Sequence, residues 1–213
     1  MTDSSNLVKA VYVSRSTDLS INSTAWSNPE AVNINQYWTG DRAPATRHAK
    51  ALLCWNFHEL AVRFDCEQHE PLVTAEHPVT ERKTIGLWDR DVCEIFIAPD
   101  KNNTNVYYEF EAAPTGEWID LGIRHTTSGR ETDWDFASGM KTQSVTVVNR
   151  IILLIRIPWS VRIPKPKVGD EWAVNIFRCV GSDERTRYMA WRPTKTAEPN
   201  FHVPGAFGVL RFT

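Results

Sequence analysis

From Val92 to Ala98 the chain alternates residue by residue. Val92, Glu94, Phe96 and Ala98 fall on one side, and Cys93, Ile95 and Ile97 on the other. A period of two marks a β-strand, here one with two unlike faces. Pro99 to Asn103 is turn chemistry, with a proline and residues that tolerate tight bends. Val106 to Ala113 reads as a second strand, and Pro114-Thr115-Gly116 turns into a third, Glu117 to Ile123. This meander presents Trp88, Asp89, Asp91, Glu94, Glu109 and Glu111 beside its apolar residues. A tryptophan entering a strand that then carries a carboxylate suits a polyhydroxylated ring. The indole covers the CH face and the carboxylate accepts from hydroxyls.

The rest of the chain repeats the short-strand pattern. Leu7 to Ser14 and Ile34 to Trp38 read as strands, and Lys50 to Asn56 with Glu59 to Asp65 as a hairpin-like pair. Cys66 to Leu87 is a long charged connection, of the kind that often carries function. Thr126 to Thr142 is polar, with Trp134 and Phe136 as pins. Ser144 to Val148 and Ile151 to Ile157 flank a tight turn at Asn149-Arg150. In Glu171 to Val180, Trp172, Val174, Ile176 and Arg178 share one face, and Ala173, Asn175, Phe177 and Cys179 the other. Arg187 to Trp191 and Phe207 to Phe212 complete the set. Many short strands with almost no helical periodicity predict an all-β, antiparallel β-sandwich spanning residues 1–213 as a single domain.

Composition narrows the function. A net charge of -2 gives no reason to expect nucleic acid or an anionic membrane as partner. No apolar run reaches transmembrane length. The N-terminus lacks a basic region followed by a long apolar one, so the expected location is cytoplasmic. Four cysteines without metal spacing read as buried free thiols. Of nine tryptophans, Trp26, Trp55, Trp118, Trp159 and Trp172 are assigned to the core, leaving others for a stacking site. The oligomeric state stays open.

Four segments together resemble a known family. They are Asp18-Leu19-Ser20-Ile21-Asn22 with Trp26; Leu52 and Trp55 with Leu60 and Phe64; Trp88 through Phe96; and Trp191 through Phe201, His202, Pro204, Phe207 and Gly208. Their order over nearly the whole chain is similar to the family 9 carbohydrate-binding modules and the wider DOMON-like β-sandwich superfamily. Cys93, between Val92 and Glu94, departs from the family pattern. The resemblance implies a jelly-roll-like sandwich that binds a mono- or oligosaccharide without catalysis, its terminal sugar held between Trp88 and Trp191. Glu94 would accept from the sugar and Arg178 would donate to it. Asp91, Glu109, Glu111 and His202 are secondary candidates; for Glu109 and Glu111 the alternative is a solvated strand face, and for His202 a satisfied loop histidine. No cofactor is needed for binding. Family members hold structural calcium on loop carboxylates and carbonyls, and here Asp18, Asp89 and Asp91 are the carboxylates on offer.

Three other readings compete. A glycan-active enzyme would use Glu94, Glu109 or Glu111 as acid and base. A haem-binding or redox DOMON domain would need Met140, Met189 or His202 to converge on one pocket. A protein-interaction sandwich would use an uncovered aromatic pair as its surface.

Overall fold

The computed structural model describes residues 6–213, which form fourteen strands linked by loops and short 3-10 turns. In chain order the strands are β1 (Leu7–Tyr12), β2 (Val32–Ile34), β3 (Gln36–Tyr37), β4 (Ala49–Trp55), β5 (Glu59–Glu67), β6 (Val92–Ala98) and β7 (Val106–Ala112), followed by β8 (Trp118–Thr126), β9 (Gly129–Asp133), β10 (Lys141–Val147), β11 (Arg150–Pro158), β12 (Glu171–Cys179), β13 (Tyr188–Ala190) and β14 (Gly208–Phe212). No helix among the described residues is long and apolar enough to cross a membrane.

The strands form an all-β, mostly antiparallel sandwich. One sheet runs β10-β11-β5-β4, with β2 and the end of β1 sharing the outer edge of β4. The other runs β14-β12-β6-β7-β8-β9, with β13 and then β3 beside β12. β1 belongs to both. Leu7 to Ala10 run parallel to β14, while Val11 and Tyr12 pair with Cys54 and Trp55 of β4.

Alternation decides what fills the space between the sheets. Cys93, Ile95 and Ile97 of β6 meet Leu60, Val62 and Phe64 of β5 and Leu153, Ile155 and Ile157 of β11 there. Each of these side chains is all but inaccessible, and burial of one such residue is worth about 1.5–3 kcal/mol. Trp55, Trp159, Trp172 and Phe212 meet edge-to-face in this core. Trp26 is buried on the outer face of the β4-β5-β11 sheet, under the segment that carries Leu19 and Ile21. Trp118 and Trp159 are half-buried against the inter-sheet core. All four cysteines are buried and free.

The expected strands are present with three differences. Ile34 to Trp38 is not one strand: β2 and β3 are separate and pair with different partners, β4 and β13. The polar stretch after Thr126 contains β9, which owes its place to ladder pairing with β8 and not to any apolar pattern. The tight turn lies at Val148-Asn149, because Val147 pairs with Arg150. Asn149 takes φ 57, a conformation asparagine tolerates better than most residues.

The outer face of the second sheet is covered. Every residue of β6 is buried, on both faces. The cover comes from β9, from the turn carrying Trp88 and from the connection between β13 and β14, and it leaves a pocket over the middle of the sheet.

Candidate functional site

The pocket is a cavity of about 290 Å³ on this outer face. Glu94 of β6 and Glu109 and Glu111 of β7 form its floor. The sheet register brings them together, since Glu94 stands directly opposite Glu111, and Glu109 lies two residues along on the same face. Each offers an oxygen within 4.8 Å of the other two, and all three residues are at most 2% exposed. The walls are Trp88, Trp134, Tyr188, Phe96 and Phe201, with Arg130 of β9 beside them.

Trp88 sits on a 3-10 turn, Leu87–Asp89, that begins after Gly86 at φ 81, a backbone shape that favours glycine. Leu87 is fully buried and anchors the turn, while Arg187 donates to the carbonyls of Trp88 (3.2 Å) and Arg90 (2.9 Å). Trp134 follows β9 and is half exposed. Its ring lies 6.5 Å from that of Trp88, tilted by 44°. Lys83, at the end of the long 66–87 connection, holds this loop by donating to the carbonyls of Trp134 and Phe136. The connection therefore shapes the pocket from beneath; residues 68–86 do not line it.

The floor carboxyls are poor acids. Burial, then the neighbouring Glu109, push Glu94 up to about 8. Burial, then the charges of Glu94 and Glu109, push Glu111 well above the usual range, and burial raises Glu109. Glu94 receives only a weak contact from the Cys179 thiol, at 3.4 Å. His202 Nδ1 lies 2.9 Å from the Tyr107 hydroxyl, which also contacts His125 Nε2 at 3.2 Å. Burial, then Arg130, depress His202 to about 3. The imidazole is therefore neutral, and its 3.8 Å approach to Glu109 is no ion pair.

Of the residues singled out in the sequence, the fold brings Trp88, Glu94, Glu109, Glu111 and His202 to this pocket. Glu109 and Glu111 are not on a solvated face, because the elements that cover the sheet bury them.

Arg178 is not in the pocket. It pairs with Cys93, on the opposite face of the sheet from Glu94. There it donates to the carbonyls of Arg47 (2.7 Å) and Glu67 (2.8 Å) and to Gln68 Oε1 (2.6 Å). Asp91 belongs to the same network, accepting from Gln68 Nε2 (3.2 Å) and from the Gly181 N–H (2.7 Å). Both are buried fastenings between the ends of β5, β6 and β12.

Trp191 is also elsewhere. It packs against the inter-sheet core and over Gly208, where a Cβ would collide with its ring. It borders a different groove, of about 500 Å³, across which Lys9 and Glu30 pair with each other at 3.2 Å. Trp88 and Trp191 therefore do not face one another. The aromatic beside Trp88 is Trp134, and the guanidinium at the pocket is Arg130. Neither was singled out for the site. The signal for Trp134 was an indole in a polar stretch that has no strand-period apolar partners to pack with.

Among the described residues, the carboxylates on offer for calcium do not come together in one cluster. Asp18 accepts from the Ser20 N–H (2.9 Å) and hydroxyl (2.5 Å) and lies with the segment covering the other sheet. Both oxygens of Asp91 are engaged, and Asp89 is exposed on the Trp88 turn. Among the described residues, the group of acidic side chains close enough to share an ion is Glu94, Glu109 and Glu111.

The chain matches the family described as carbohydrate family 9 binding domain-like over residues 18–213. Solved structures share its fold. One is a Bacteroides uniformis protein provisionally described as carbohydrate-binding, at 16% identity and TM-score 0.70, with 98% of this chain and 99% of that chain covered. A family 9 carbohydrate-binding module from Caldicellulosiruptor kristjanssonii in complex with cellotriose is 18% identical at TM-score 0.63, covering 97% of this chain and 93% of that one. Its complex with glucose gives 18% identity and TM-score 0.62, with 97% and 95% covered. No curated protein matches the chain.

Proposed function

This chain belongs to the carbohydrate family 9 binding domain-like family, and from that premise we propose that it is a non-catalytic sugar-binding module whose ligand site is the pocket over β6 and β7. The observation that carries this reading is an aromatic-walled cavity with polar groups converging on its floor. One face of a pyranose stacks on Trp88, and Trp134 provides the second indole. Each such stack is worth about 0.5–1.5 kcal/mol beyond the area it covers. Glu94 keeps its proton at neutral pH, so it can donate to a hydroxyl as well as accept from one. Arg130 adds a charged donor, which makes stronger hydrogen bonds than a neutral one. Related modules have been crystallised with glucose and cellotriose, which makes glucose-type sugars the first ligands to test.

The geometry favours binding over hydrolysis. A glycosidase places two carboxyls on either side of the scissile bond, about 5–10 Å apart. Here all three carboxyls lie together on one floor, with oxygens within 4.8 Å of one another, instead of on opposite sides of the pocket. The residues needed for a haem reading are likewise divided: Met140 and Met189 lie in the inter-sheet core, and His202 on the outer face.

Calorimetry and tryptophan fluorescence against glucose, cellobiose, xylobiose and galactose test the proposal. Wild type should bind at least one saturably. Trp88→Ala should weaken that binding by roughly tenfold, the equivalent of about 1.4 kcal/mol. Trp191→Ala should keep it, at the expense of stability. Wild type binding none of these and no amino sugar would overturn the reading.

A further inference from the structure

The pocket floor has more acceptors than a neutral sugar needs. Glu111 is fully buried and neither of its oxygens receives a donor from outside the cluster; Glu109 Oε2 likewise has none, and the two carboxyls have only each other. No lysine or arginine forms an ion pair with Glu94, Glu109 or Glu111 among the described residues. Buried polar groups are nearly always satisfied, and leaving one unpaired is costly. Three such atoms in one cavity mark a place suited to a ligand's donor group.

The floor and the walls restrict what that group is. Three clustered carboxyls ionise together only beside a positive charge. The walls above them are Trp88, Trp134, Tyr188 and Phe201. Aromatic faces attract cations, and their planes also cover the CH face of a ring. A bare divalent cation uses the floor but not the walls. Calcium takes 6–8 oxygen ligands, and beyond the carboxyls the lining is mostly rings and aliphatic side chains, with Arg130, His202, Thr132, Asn200 and the Cys179 thiol as its other polar groups. A neutral hexose uses the walls but leaves the carboxyls uncharged.

We propose that the pocket selects a cationic amino sugar, a pyranose bearing a protonated primary amine that sits on Glu94, Glu109 and Glu111 while a ring face lies on Trp88. The proposal rests on the sugar-binding reading above and specifies its ligand class. The ammonium supplies three N–H donors to a floor on which Glu94 has only the Cys179 thiol and Glu111 no donor from outside the cluster, and its charge lets the floor ionise. An acetylated amine has neither property. The site thus separates a free amino sugar from its N-acetyl form by charge, and from the plain hexose by one functional group.

Calorimetry of the whole chain against glucosamine, glucose and N-acetylglucosamine, in weakly acidic buffer where the amine is protonated, tests this. Manganese and calcium chlorides alone form separate arms. Glucosamine is expected to bind at least about tenfold more tightly than the other two. In Glu111→Gln, and independently in Glu94→Gln, the ratio of glucosamine to glucose affinity should fall toward one, with circular dichroism reporting the fold. Glucose binding as tightly as glucosamine overturns the amine preference and leaves the sugar site standing. Failure of every sugar removes the sugar reading and this proposal with it. Saturable metal binding that competes with glucosamine assigns the floor to a metal and overturns the proposal.

Discussion

At the residue scale, parity along a strand proved more informative than residue type. Arg178 has the chemistry of a sugar ligand, yet it alternates with the face that carries Trp172 and Ile176, which are core residues. That placement takes it to the opposite side of the sheet from Glu94, where it satisfies three backbone carbonyls and Gln68. Arg178→Met should therefore destabilise the fold by about 2–4 kcal/mol, because buried acceptors lose their donors. Sugar affinity of the folded fraction should stay unchanged. Chemical denaturation and calorimetry measure the two effects separately, and a variant of normal stability with lost affinity would contradict this placement.

At the scale of elements, the closing segment illustrates how a motif can be legible and its purpose not. Trp191 and Gly208 both fall in the segment that resembles the family's end. The structure shows why they go together: the indole lies where a Cβ on Gly208, the first residue of β14, would stand, and the Asn6 carbonyl is 2.8 Å from that same position. The pair seals the junction where β1 meets β14. Gly208→Ala forces these groups apart, and overpacking of this kind costs typically about 1–3 kcal/mol. The midpoint of thermal unfolding should drop, with no effect on ligand selectivity. The meander of β6, β7 and β8 was readable because its alternation is strict. β9 was not, because its residues are polar and partly exposed, and only the free edge of β8 recruits it.

At the scale of the whole molecule, the buried floor couples the pocket to stability. Glu94 has its folded pKa raised from 4.5 to about 8, so the folded state holds that proton more tightly than the unfolded chain. Its contribution is fully present below about 4.5 and is lost as pH rises through about 8. Glu109 and Glu111 shift in the same direction. His202 has the opposite sign. Its folded pKa is depressed from 6.5 to about 3, so its contribution is complete above 6.5 and fades as pH falls. Between pH 6.5 and 8 the carboxyls act without opposition from His202. The melting temperature should fall across that window, and Glu94→Gln should flatten the decline. Scanning calorimetry at pH 6.5, 7.2 and 8 measures both curves; a melting temperature that rises across the window would show the floor to be ionised in the folded state.

The sequence by itself determined the sandwich, most of the strands of its sheets, and the closeness of Trp88 in the chain to the strand that carries Glu94. These follow from local alternation and turn chemistry, which need no knowledge of distant partners. Alternation also put Glu109 and Glu111 on one face of their strand; the pairing of Glu94 with Glu111 came from the sheet register. Only the tertiary structure decided that this face is covered and that the three carboxyls are buried together with no lysine or arginine in ion-pair contact among the described residues. The tertiary structure also decided which indole stands beside Trp88. Trp134 and Trp191 are equally plausible in one dimension. Which of them reaches the pocket depends on how β9 and the segment after β13 fold over the sheet, and that is set by packing between residues far apart in the chain.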